Sequence, residues 1–239
     1  MKRFWGDDEG LTFSLFHGDK FAPGQSLIAT DLDGTIKMKE APVNAEVITE
    51  MKRIRSMGVK LILVTGRCAK EQQEVIDGEL FDAVVLENGA IVQLNEPRKR
   101  IVFSPPGWLE VKRRLIEKFG VGCEEIIVSL PREFGPMLEQ FSFGLDVRIL
   151  YNRDRVMVLP PSVDKRFGLS IAIQESNSQG RRVVCIGDGE NDVDMFSVAD
   201  LKLAVANAVP ILKEKSDYVS KEEDGAGWVE LVKQLFPEF

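Results

Sequence analysis

Apolar positions along the chain change their period several times, and the changes mark out elements. SLIATD (26–31) is a short unbroken apolar run ending in an aspartate, the pattern of a strand buried on both faces. In NAEVITEMKRIRSMG (44–58), Val47, Ile48, Met51, Ile54 and Met57 form a helical stripe that Gly58 closes. VKLILVTG (59–66) predicts a second buried strand, AKEQQEVIDG (69–78) a helix, and DAVVLENGA (82–90) a third strand. Buried strands alternating with amphipathic helices predict a parallel sheet covered on both faces.

The pattern then changes. IVQLN (91–95) and RKRIVF (98–103) read as a hairpin across Asn95-Glu96-Pro97. A helix at 108–119, a strand near 126–130, a short helix near 134–142 and strands near 146–150 and 155–159 follow, the last two joined by the turn composition YNRD. From Val163 the first pattern returns: helix 163–176, strand 181–189, helix 190–198, strand 201–206, helix 208–215, a short DYVS strand and a final helix from Gly227. The expected fold is therefore α/β: a doubly wound, parallel-sheet, Rossmann-like core over 27–90 and 161–239, interrupted by an α+β cap over 91–160. Residues 1–26 read as an N-terminal extension in which Phe13, Leu15 and Phe16 pack on the body. An insert with two connections to its host can move as a lid.

Composition narrows the function. The net charge of −7 over 239 residues argues against a broad basic surface for nucleic acid. No apolar run approaches bilayer length, so no membrane span is expected. Cys68, Cys123 and Cys185 are far apart and in no metal-ligand spacing, which suits a reduced, cytoplasmic chain. His17 is the sole histidine, so a histidine-rich metal site is excluded within one chain and acid–base work falls to other groups. A monomer or a homodimer is expected.

In an open parallel sheet, ligands sit at the carboxyl ends of the strands. The residues just past each expected strand are Asp31 and Asp33; Thr65, Gly66 and Arg67; Glu87, Asn88 and Gly89; and Asp188, Asn191 and Asp192 in GDGEND. Lys165 follows the insert and can reach the same rim. Clustered carboxylates repel unless a cation or a chemical task holds them. Magnesium takes oxygen ligands and keeps several waters. Asp31 and Asp188 are candidate ligands, with the Asp33 backbone carbonyl as a third and Asp192 either as a ligand or as a support for one. A cation beside Thr, Asn and Lys donors suits a phosphoryl group. Asp31 is then a candidate nucleophile and Asp33 a candidate acid–base, with a raised pKa favoured by the neighbouring carboxylate. Arg67 fits an active-site role or a loop salt bridge, and Glu87–Gly89 a site-facing stretch or a turn.

DLDGT (31–35), VTGR (64–67), the isolated Lys165 and GDGENDVDM (187–195), in that order, resemble the four motifs of the haloacid dehalogenase superfamily of phosphohydrolases. ENGA (87–90) and an insert between the second and third motifs resemble its Cof-like group with a compact type-II cap, similar in size to that of archaeal phosphoglycolate phosphatases. The resemblance covers residues 27 to about 236. It implies Asp31 as nucleophile, Asp33 as general acid/base, Thr65 and Lys165 on the phosphate, Asp188 on magnesium, and Asn191 and Asp192 completing the site. The expected activity is magnesium-dependent hydrolysis of a small phosphorylated metabolite, a sugar phosphate or a phosphoglycolate-like acid, through an aspartyl-phosphate. The alternatives are a phosphomutase of the same fold and a non-catalytic phospho-accepting module. The insert's Arg132, Arg148, Arg153 and Arg155 fit either substrate anions or surface charge. Trp108 and Trp228 are expected in the core, Cys68 as a packing residue, and Lys112, Arg113 and Arg114 on a wet helix face.

Overall fold

The structure is a computed structural model that describes residues 21–71, 80–120 and 124–237. Most of the expected N-terminal extension, including His17, lies outside the described residues, as do Cys123 and all but the first residues of the expected helix at 69–78.

The large sheet has the order β11-β10-β9-β1-β2-β3-β4-β5. Its strands are β1 (Ser26–Thr30), β2 (Lys60–Val64), β3 (Ala83–Leu86), β4 (Ile91–Leu94), β5 (Lys99–Val102), β9 (Arg182–Gly187), β10 (Leu201–Ala204) and β11 (Tyr218–Val219). From β11 to β3 neighbouring strands are parallel, with Ala29 of β1 level with Ile62 on one side and Cys185 on the other. Alternation along β1 builds the two layers. Leu27 and Ala29 join a core with Ile62, Val64 and the helix residues Leu169 and Ala172, while Ile28 joins one with Met51, Ile54, Trp228 and Val232. Those residues come from α1 (Ala45–Ser56), capped by the Asn44 side chain on the Glu46 N–H, from α4 (Lys165–Glu175) and from α7 (Asp224–Leu235). The insert contributes α2 (Trp108–Phe119), α3 (Gly135–Ser142) and a small antiparallel sheet, ordered β6-β8-β7, of β6 (Val128–Pro131), β7 (Arg148–Asn152) and β8 (Arg155–Leu159). The short helices α5 (Asp192–Met195) and α6 (Pro210–Lys215) complete the described α-helices. Among the described residues no helix is long and apolar enough to cross a membrane.

One expectation is corrected. The hairpin that was to open the insert belongs to the large sheet: β4 pairs antiparallel with β3, and β5 with β4. The reason lies in chain length. A parallel neighbour needs a crossover of a dozen or more residues, whereas the single turn Glu87–Gly89 joins β3 to β4 and reverses the chain at once. The sheet is therefore mixed, and the expected boundary at residue 91 moves beyond Val102.

That turn also holds the insert. Glu87 and Asn88 both have positive φ, 51° and 53°, a backbone state that persists only when its surroundings enforce it. Gly89 has φ 105°, and a Cβ there would lie 2.0 Å from the Asp164 carbonyl oxygen, so only glycine lets the turn sit against the start of α4. The buried Glu87 carboxylate accepts the backbone N–H groups of Glu125 (2.7 Å), Ile126 (2.8 Å) and Ile127 (3.1 Å). Lys112 is likewise buried rather than wet: its ammonium donates to the carbonyls of Glu124 and Glu125, both at 2.6 Å. Arg113 keeps the expected exposed place between Glu110 and Glu117, Trp108 and Trp228 are buried as expected, and Cys68 is buried beside the rim. Glu87→Ala strands three donors of the insert at once. It is expected to lower unfolding free energy by about 3 kcal/mol, and Glu87→Gln by about half of that. Urea unfolding of the two variants checks the order.

Candidate active site

The large sheet runs outward from β1 in both directions, to β2 and β3 on one side and to β9 and β10 on the other. Such a reversal of strand order leaves a crevice at the carboxyl ends of the strands beside it. Just past β1 stands Asp31, whose N–H continues the ladder to the Ile186 carbonyl at 3.0 Å. Just past β2 stands Thr65, buried and bonded through its N–H to the Val85 carbonyl at 2.8 Å. Just past β9 stands Asp188, buried, with Thr35 Oγ1 donating to Oδ1 at 2.8 Å.

Lys165 is the first residue of α4 and is 1% exposed, so its side chain is enclosed by the fold rather than solvated. Its ammonium donates to Asp31 Oδ1 at 2.5 Å and to Asp192 Oδ1 at 2.6 Å. Asp192 Oδ2 accepts the N–H groups of Asp188 (2.9 Å) and Gly189 (2.8 Å), so one carboxylate shapes the GDGEND loop and anchors the lysine. Asn191 Nδ2 donates to Asn88 Oδ1 at 2.8 Å. Of the ENG stretch, then, Asn88 borders the site and Glu87 turns away to the insert.

Asp33 departs from expectation. Its carboxylate is held by Arg67, with Nε at 2.5 Å and Nη2 at 2.7 Å, and by Lys37 at 3.2 Å. The strongest charges on Asp31 are Lys165, Asp192 and Asp188. Asp33 is thus gripped by cations rather than crowded by a carboxylate, and Arg67 serves as its partner. The spacing of two residues along the loop did not carry that information, because Arg67 stands 34 residues away in sequence and meets Asp33 only in the folded chain.

Burial pushes the Asp31 carboxyl well above the ordinary range, Lys165 opposes this, and Asp192 and Asp188 add to it. Burial and Asp192 push Asp188 up to about 6 against the pull of Arg153. For Lys165, burial works against the charged form, but Asp192 and Asp31 outweigh it and keep the ammonium protonated. Asp31, Asp188 and Asp192 each offer a carboxylate oxygen within 4.8 Å of the others, all three buried. An all-oxygen, buried, three-carboxylate set fits a hard divalent cation, which would relieve the repulsion that adds to burial in raising the first two.

Sequence reasoning missed one contributor and left a second unassigned. Thr35 stands inside DLDGT but was not read as a contact. Arg153, at the β7–β8 turn of the insert, places its guanidinium on the Asp188 carboxylate and on the Asn207 carbonyl at 3.2 Å. The site opens into a cavity of about 640 Å³ whose walls include Asp31, Asp33, Thr65, Gly66 and Arg67 from the large sheet and Ser129, Asn152, Arg153, Arg155 and Met157 from the insert.

A family model for haloacid dehalogenase-like hydrolases matches residues 28–119 and 143–230. Phosphoglycolate phosphatase 2 of Saccharolobus solfataricus is 31% identical over 226 residues, covering 87% of this chain and 91% of its own length. A crystal structure from Thermoplasma acidophilum superposes with a TM-score of 0.74 at 19% identity, covering 88% of this chain and 97% of the other. A sugar phosphatase of haloacid dehalogenase subclass IIB gives 0.71 at 19% identity, covering 87% and 98%.

Proposed function

The chain belongs to the haloacid dehalogenase-like hydrolase family as a phosphohydrolase of its Cof type, and from that premise we propose that it is a magnesium-dependent phosphatase working through an aspartyl-phosphate on Asp31. Its substrate is a small phosphorylated metabolite, a sugar phosphate or a phosphoglycolate-like acid, met in the cytoplasm by a monomer or homodimer. The observation that carries this reading is the buried meeting of Asp31, Asp188, Asp192 and Lys165 at the sheet edge, opening into a cavity of small-molecule size.

An Asp31 oxygen attacks phosphorus and displaces the alcohol, and the Asp33 carboxylic acid gives the leaving oxygen its proton. Asp33 then takes a proton from water, which attacks the phosphorus of the acyl-phosphate and frees phosphate and Asp31. Arg67 orients Asp33, the role its two bonds to that carboxylate favour over direct contact with phosphate. The Thr65 hydroxyl, the Gly66 N–H, Lys165 and Asn191 bind the phosphoryl oxygens, with Lys165 supplying charge where the rim is acidic. Magnesium, held by Asp31, Asp188, the Asp33 carbonyl and Asp192, would offset negative charge on the phosphoryl group. The segment between Val102 and Lys165 acts as the cap.

A phosphate-release screen over sugar phosphates and phosphorylated acids, with and without magnesium, tests the reading. Excess chelator is expected to cut turnover about 100-fold or more, with recovery on adding magnesium. Magnesium alone is expected to raise the melting temperature of the metal-free protein. Undiminished turnover in excess chelator removes the metal from the mechanism, and isomer formation without free phosphate points to a mutase.

A further inference from the structure

Among the described residues four cationic side chains line the cavity: Lys39, Arg67, Arg153 and Arg155. Three are neutralised by carboxylates, Lys39 by Asp154 at 2.8 Å, Arg67 by Asp33 at 2.5 Å and Arg153 by Asp188. Arg155 is different. Its Nε donates to Ser129 Oγ at 3.0 Å and its Nη2 to the Ser129 carbonyl at 2.9 Å, both neutral acceptors. Among the described residues no carboxylate comes within ion-pairing distance of it. Its field reaches Asp154, which Lys39 already engages, and Glu124, whose carboxyl is raised above the ordinary range chiefly by burial.

Strand alternation explains the placement. Along β8, Val156 and Val158 face the insert's own core and are fully buried, so Arg155 and Met157 face the opposite way, into the cavity. Along β6, Val128 and Leu130 are buried, and Ser129 stands level with Met157 on the cavity side. The small sheet thus forms a roof with one cation set rigidly in it. A guanidinium has five N–H donors in a planar fork. Ser129 occupies its Nε–Nη2 edge and fixes the plane, leaving the Nη1 group without an acceptor among the described residues. A partly buried cation held by neutral groups is incomplete without an anion.

We infer that Arg155, oriented by Ser129, recognises a carboxylate at the non-phosphate end of the substrate and selects phosphorylated hydroxy acids over neutral sugar phosphates. This rests on the phosphatase reading of the same site. Arg155 is a specificity residue. It lies in the roof, while the bond-breaking groups lie on the sheet edge, so its loss is expected to weaken binding of one substrate class without disabling the chemistry.

The experiment compares kcat and KM for phosphoglycolate and for 2-hydroxyethyl phosphate, the same two-carbon skeleton with a neutral hydroxymethyl group in place of the carboxylate. Arg155→Gln is expected to raise KM for phosphoglycolate roughly 10- to 100-fold with kcat little changed, and to leave 2-hydroxyethyl phosphate unaffected. Ser129→Ala is expected to shift the same parameter in the same direction by less, and Arg155→Lys to fall between Gln and the unaltered protein. The neutral ester reports whether each variant is folded. Equal loss on both esters, or no loss on either, overturns the inference. If the unaltered protein hydrolyses neutral esters but no carboxylated one, the inference falls and the phosphatase reading stands. If it hydrolyses no phosphomonoester, both fall.

Discussion

Asp31→Asn is expected to stop phosphate release, with a loss on the order of 10⁴-fold or more. An amide cannot displace an alcohol from phosphorus to form the acyl-phosphate, and removing the nucleophile from a concerted site leaves only what binding and charge provide. The fold should survive. Asp31 sits where burial and two other carboxylates already disfavour its charge, and the amide oxygen can still accept from Lys165. Asp33→Asn is expected to lose about 10²- to 10⁴-fold, the usual share of a general acid–base, and to lose it differently. With an aryl phosphate, whose leaving group needs no proton, this variant should still form the phosphoenzyme and then stall, giving a burst of phenolate near one equivalent. Near-normal steady turnover by Asp31→Asn would end the covalent mechanism. Absence of a burst with Asp33→Asn would remove the split between acid and base steps.

Lys165→Met is expected to be the most destabilising single change at the site. The side chain is fully buried between two carboxylates, at 2.5 Å from Asp31 and 2.6 Å from Asp192. Removing one partner of a buried ionic group leaves the others uncompensated, at a cost of about 3–5 kcal/mol. For a chain of this size that corresponds to a melting temperature lower by roughly 10 °C. Because the loss arises from stranded charge and not from missing packing, Asp31→Asn added to Lys165→Met should recover part of it, a coupling that a double-mutant cycle reads. A decrease below about 1 kcal/mol, or strictly additive effects, would show that the lysine does not hold the carboxylates together.

Much of this was legible in the residues. The strand SLIAT, the helix around Met51 and Ile54 and the strand KLILV declare themselves because burial on both faces of a sheet, or on one stripe of a helix, demands an apolar period. Asp31, Thr65 and Asp188 were located because parallel strands deliver their next residues to one edge. The errors have a common origin. The hairpin at 91–103 has the local composition of any antiparallel pair, and nothing within it says which sheet it joins; the short Glu87–Gly89 turn settles that. Lys112 looked like part of a basic face until two carbonyls of the chain leading to β6 closed over it. Asp33 lay near Asp31 along the chain, yet in space it belongs to Arg67.

Periodicity and residue type were sufficient for the layers of the fold, the sheet edge of the candidate site and the acidic residues placed there, since each follows from what a strand or helix must bury and from where parallel strands end. Who pairs with whom came from contacts across long stretches of sequence: Lys165 between Asp31 and Asp192, Arg67 on Asp33, Glu87 on the insert, Arg155 on Ser129. Partners for a buried charge or donor are chosen by distance and by the loss of water around them, and neither quantity exists until the chain has closed on itself.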